Sequence, residues 1–145
     1  MNEKPKIFKA VLLALLQFFL YWLFYLIIVT VITLILSLML HIPVLGRIAA
    51  WLVSAREGTP HGFIVYISVG ISIYLVHLIS KKICKSEKTA ALSRVISGVA
   101  IILVGIVVLI DSWFISRDST VTSNITTLSH IIGGFLLRSK KFNSD

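Results

Sequence analysis

Apolar residues run along this chain in four long stretches that are nearly free of charge, separated by short polar connections. Such stretches predict helices that cross a bilayer, with spans at about 7–41, 62–80, 90–114 and 121–137. Between the first two spans, Pro43, Gly46 and Gly58-Thr59-Pro60 signal a stop and a turn. There Leu45, Ile48, Leu52 and Ala55 share one face, with Arg47 and Ser54 opposite and Trp51 alongside, which predicts an interfacial amphipathic segment over 44–56. The expected fold class is an all-α integral membrane protein, a small bundle of four transmembrane helices forming a single membrane-embedded domain, 1–145. Three spans plus a short or re-entrant fourth is the alternative, because 121–137 carries three Thr, two Ser, Asn124, His130 and two Gly.

The first stretch would be roughly 50 Å long as a helix, against a hydrocarbon core of about 30 Å, so it must tilt, kink or project. Tyr21, Trp22 and Tyr25 fall near its middle, away from the interfaces where belt aromatics gather. Its later half carries Thr30, Thr33, Ser37 and His41, whose spacing places them on one helical face. A polar stripe on a membrane helix normally points at protein or at a water-filled cavity. In the third stretch Ala91, Gly98, Gly105 and Ser112 recur every seven residues. Small residues at that period form a helix-packing face for a neighbour at close range, with left-handed crossing. The neighbour is either a second copy, across a dimer seam, or the first or second segment of the same chain.

Composition agrees with a membrane protein: 57 % of residues are hydrophobic and 14 % charged. The net charge of +8 does not suggest nucleic acid, because the basic residues sit at segment ends without aromatic interleaving. Eleven of the fourteen Lys and Arg fall in three clusters: Lys4/Lys6/Lys9, Lys81/Lys82/Lys85/Lys88/Arg94 and Arg138/Lys140/Lys141. Positive charge stays on the cytoplasmic side, which places both termini and a basic loop at 81–89 inside and the other connections outside. A bacterial inner membrane or a plasma membrane is the expected location, with anionic lipids as partners of the cytoplasmic clusters. The run from Ile7 is too long for the apolar core of a signal peptide, and reads as an uncleaved span. The lone Cys84, between Lys82 and Lys85, reads as a free thiol.

Polar groups collect in the outer half of this arrangement. Thr30, Thr33, Ser37, His41 and Ser68 are candidate residues of an outward-facing vestibule. Ser72, His130 and Asp111 are the candidate catalytic set: a Ser–His pair is the minimum for nucleophilic attack, and a carboxylate orients the imidazole. The motifs read Gly70-Ile71-Ser72-Ile73 and His130-Ile131-Ile132-Gly133-Gly134. Over residues 66–137 they resemble, in part, the rhomboid intramembrane proteases, whose nucleophile lies in Gly-x-Ser-Gly and whose base lies in His-x-x-Gly two helices later. The resemblance implies an intramembrane hydrolase with Ser72 as nucleophile and His130 as base. Ile73 stands where the second motif glycine belongs, and that family uses more spans than this chain offers. His41, His61, His130 and Asp111 supply zinc-ligand types, but no pair has the close spacing of a helical metal motif, so neither metal nor cofactor is expected. His77 reads as a neutral hydrogen-bonded group one turn from Lys81. These features favour a small polytopic membrane protein acting non-enzymatically, as an accessory, protective or regulatory subunit that packs against another membrane protein or against itself. A small oligomeric channel or carrier, and the hydrolase, are the alternatives.

Overall fold

The computed structural model describes residues 6–53, 59–115 and 121–138, and every regular element among them is helical. Lys4, Arg117, Lys140, Lys141 and positions 54–58 lie outside the described residues, as do the side chains of Trp51, Leu52 and His61. The helices are α1 (Ile7–Met39), α2 (Pro43–Val53), α3 (Thr59–Ile83), α4 (Glu87–Ile110) and α5 (Val121–Arg138). Three of them contain a stretch long and apolar enough to cross a membrane: Ile7–Met39, Ile64–Ile83 and Glu87–Ile115. Among the described residues, length and composition thus support three spans, and a fourth is not confirmed.

α1 is uninterrupted for 33 residues, as expected where no water is available to satisfy a broken backbone. It closes through hydrogen bonds from the amides of Leu40, His41 and Ile42 to the carbonyls of Leu36, Leu38 and Met39. Pro43 then opens α2, at a position where a missing N–H costs nothing. Gly46 is required at this corner, since a Cβ there would meet the Leu40 carbonyl oxygen at 2.8 Å. α2 turns the fully buried Ala49 toward Leu36 and Ile64, while the larger Leu45 and Ile48 stay exposed. Its small side therefore faces protein, and its bulky side faces outward.

α3 begins before Gly62 and runs on through Lys81 and Lys82 to Ile83. α4 ends in a π-helical turn, Asp111–Ile115, from which Trp113 Nε1 donates to Asn124 Oδ1 of α5 at 2.8 Å. The most extensive packing joins α4 to α5. A Cβ on Gly98 would lie 2.6 Å from the Gly134 carbonyl oxygen, and one on Gly134 would lie 2.7 Å from that of Gly98. Gly105 abuts Ile131 in the same way. The small-residue face thus packs within the chain, but its partner is α5 and not the first or second segment. Neither a periodicity nor a charge pattern marked α5 as the complement; the adjacent Gly133 and Gly134 do. Gly133 faces Val69 and Ile73 of α3 while Gly134 faces α4, so α5 is wedged between two helices. On the same face of α4, Ala91 is half-buried, and the Ser112 hydroxyl is buried without a hydrogen-bond partner.

Candidate functional site

The interior of the bundle combines apolar clusters, around Tyr21, Val69, Ile73 and Ile101 and around Leu36, Ala49 and Ile64, with many buried polar groups, while much of its surface is apolar. Gln17, Ser68, Ser72, Ser80, Ser93 and Ser97 are buried, as are Arg94, Ser129 and His130, while Leu, Ile, Val and Phe side chains line the exposed faces. Ser68, Ser72 and Ser129 bond to carbonyls of their own helices, and the other groups form three separate centres.

Gln17, 1 % exposed, joins α1 to α3 and α4. Its Nε2 donates to Ser80 Oγ at 2.7 Å and to Ser93 Oγ at 3.0 Å, and its Oε1 lies 2.9 Å from the hydroxyl of Ser97, which can donate to it. Ser80 and Ser93 donate their own protons to Val76 and Ala90 carbonyls, so donors and acceptors match throughout. Nearby on α4, Arg94 is 5 % exposed, with Nη1 at 2.9 Å from Nδ1 of His77. A guanidinium can only donate, so Nδ1 of His77 carries the lone pair and any single ring proton sits on Nε2. The Arg94 Nε is buried without a partner.

The third centre surrounds His130. Its Nδ1 lies 2.6 Å from the Tyr21 hydroxyl. The imidazole packs against Trp22 and Tyr25 with ring centroids 4.6 and 4.4 Å away. The mid-helix aromatics of α1 therefore enclose a histidine. A cleft of about 300 Å³ opens beside this group, lined by Trp22, Tyr25, Gly105, Val108, Thr127 and His130 among others.

The candidate catalytic residues occupy these surroundings without forming a triad. Ser72 is fully buried and its Oγ donates to the Ser68 carbonyl at 2.6 Å. The hydrogen-bonding partner of His130 is Tyr21, and neither Ser72 nor Asp111 takes that place. Asp111 is exposed at the start of the π-helical turn. Proton transfer from Ser72 would require its hydroxyl to leave one helix carbonyl and His130 to turn away from α1. Among the described residues no group of three His, Cys, Asp or Glu could hold a metal ion. Of the vestibule candidates, Ser68 is buried and donates to the Ile64 carbonyl, whereas Thr30, Thr33 and Ser37 are exposed on α1 and His41 is exposed in the turn that follows it. Thr30 donates to the Leu26 carbonyl and His41 Nδ1 lies 3.1 Å from that of Ser37, each one turn back.

Sequence reasoning missed Gln17, Ser93 and Ser97, and missed Arg94 as a buried partner of His77. An isolated amide within a long apolar run is itself the signal for Gln17; nothing in the sequence pairs it with serines more than sixty positions away. The chain matches no protein-family model, and no curated protein or solved structure is similar to it.

Proposed function

We propose that this chain is a small multi-pass membrane protein that acts non-enzymatically, as an accessory, protective or regulatory subunit, by packing α1 against another membrane protein. The observation that carries the reading is the outward stripe of Thr30, Thr33, Ser37 and His41, exposed along and just after a helix apolar enough to cross a membrane. Thr30 and His41 bond to carbonyls one turn back, and a partner helix would add packing and further hydrogen bonds along a stripe that is otherwise costly against hydrocarbon. The small-residue face of α4 is not the docking face in this reading, because α5 fills it.

The proposed topology has four spans, with both termini and the basic connection between α3 and α4 on the cytoplasmic side of a bacterial inner or plasma membrane. α5 supports a fourth crossing despite its modest hydropathy. It exposes Leu128, Ile132, Phe135 and Leu136 and buries Thr127, Ser129 and His130, the distribution a lipid-facing helix needs. A second reading uses the same stripe: several copies arranged about an axis would enclose an outward-facing vestibule for a channel or carrier.

Purification from native membranes in mild detergent, with mass spectrometry of co-eluting proteins, tests both readings. Wild type is expected to bring down a stoichiometric second membrane protein, and Thr33→Leu with Ser37→Leu to lose it at least ten-fold. Both side chains are exposed, so the fold is expected to survive, checked by far-ultraviolet circular dichroism. Recovery of a homo-oligomer dispersed by the same substitutions supports the second reading. A lone monomer, or equal recovery with the variant, overturns the stripe as an interface.

A further inference from the structure

The basic end of the bundle holds two adjoining clefts that differ in character. The first, about 580 Å³, lies between the start of α1 and the turn joining α3 to α4, and is lined by Lys6, Lys9, Lys85, Ser86 and Thr89 with Ile83 and Cys84. Among the described residues no acidic side chain lines it. Among the described residues none of the three lysines has an ion pair, and the α1 start is tied to α4 by the Lys6 amide, which donates to Thr89 Oγ1 at 3.3 Å. α4 opens into the same region: its N-cap residue Ser86 is extended, with φ −86° and ψ 107°, and makes no side-chain capping bond. First-turn amides left uncapped at the positive end of a helix dipole add to the attraction for an anion. Glu87 sits in that first turn but does not line the cleft.

The second cleft, about 590 Å³, shares Lys9, Ile83 and Cys84 with the first and continues along α1 past Leu12, Leu13, Leu15 and Leu16. Leu12, Leu15, Leu16 and Ile83 are exposed. A cationic recess at a helix end that opens into an apolar groove running along the span matches one kind of molecule in both charge and shape.

We infer that this is a binding site for a single anionic glycerophospholipid, with the headgroup phosphate among Lys6, Lys9 and Lys85 and an acyl chain laid against Leu12 and Leu16. The general attraction of basic segments for anionic membranes does not require such a recess; here the lysines of two elements converge and the groove fixes where the chain lies. The inference rests on the membrane reading but not on any protein partner. The lysines are exposed and act as point charges on flexible stems, so selectivity is for the anion and not for headgroup shape.

The test is native mass spectrometry of the full chain in mild detergent, titrated with dioleoyl phosphatidylglycerol or dioleoyl phosphatidylcholine. Wild type is expected to retain one phosphatidylglycerol at least ten-fold more strongly than phosphatidylcholine. The triple variant Lys6→Gln, Lys9→Gln, Lys85→Gln is expected to lose that preference. Lys81→Gln, Lys82→Gln, Lys88→Gln, an equal change of charge outside the cleft, is expected to keep it. Leu16→Trp, which fills the groove without altering charge, is expected to weaken retention at least three-fold and keeps the test decisive if a lysine variant fails to fold. Equal losses in the two triple variants would reduce the effect to surface charge and overturn the site. Displacement of the lipid by millimolar inorganic phosphate would show that the anion alone is recognised and overturn the groove. Because the isolated chain is used, failure here leaves the α1 stripe untouched, and loss of the protein partner leaves the lipid result standing.

Discussion

Gln17 holds three helices together with one carboxamide, and its surroundings explain why an amide survives in so apolar a run. Both of its amide protons and its oxygen are used, on serines of α3 and α4. Interhelical hydrogen bonds in membranes contribute roughly 0.6 kcal/mol each, so Gln17→Leu is expected to lower stability by about 2 kcal/mol in detergent unfolding. Ser72→Ala removes only a bond within its own helix and is expected to cost about 0.5 kcal/mol. Tyr21→Phe strands the buried His130 Nδ1 and is expected to cost about 1 kcal/mol or more. A Ser72→Ala loss larger than that of Gln17→Leu would mean that Ser72 does something this bonding does not reveal. Residue spacing disclosed none of this pairing, because partners on different helices meet only once the bundle has closed. The odd placement of Tyr21, Trp22 and Tyr25 was legible; their shared neighbour His130 was not.

At the scale of elements, apolar run length makes the long helices readable, since no other backbone state satisfies itself in hydrocarbon. The heptad of Gly98 and Gly105 was equally readable as a close-packing face. A one-sided pattern names a face without naming its occupant, and the occupant is α5, whose polar composition disguised it. Gly98→Leu or Gly105→Leu is therefore expected to separate α4 from α5 and cost about 3 kcal/mol or more, measured by thermal unfolding in detergent. Gly70 sits opposite nothing within 4 Å, so Gly70→Ala is expected to be neutral or to stabilise α3 by up to about 1 kcal/mol. A destabilising Gly70→Ala beside a harmless Gly98→Leu would contradict the packing described here. α2 was anticipated as amphipathic, but its Leu45–Ile48 side is exposed while Gly46 and Ala49 meet α1. A small face toward protein and a large face outward would suit the interfacial placement proposed from the sequence.

The molecule as a whole buries polar centres among apolar side chains and exposes one polar stripe along the last turns of α1 and the residues just after it. The charge clusters from which the proposed topology is read are visible in the sequence, whereas the outward direction of the stripe depends on helix rotation, which composition does not determine. Thiol labelling in sealed vesicles checks the topology: in a Cys84→Ser background, Lys82→Cys and Ser139→Cys are expected to label from the same side and Arg47→Cys from the other. Labelling of Ser139→Cys together with Arg47→Cys would mean that α5 does not cross. The stripe itself is tested most directly by photo-cross-linking in native membranes from a benzophenone on Ser37→Cys in that background, with Leu128→Cys on α5 as the comparison. One dominant adduct with another membrane protein at position 37, missing at 128, is the predicted result. Lipid adducts alone at both positions, or the same proteins at both, would contradict a protein-docking role for α1.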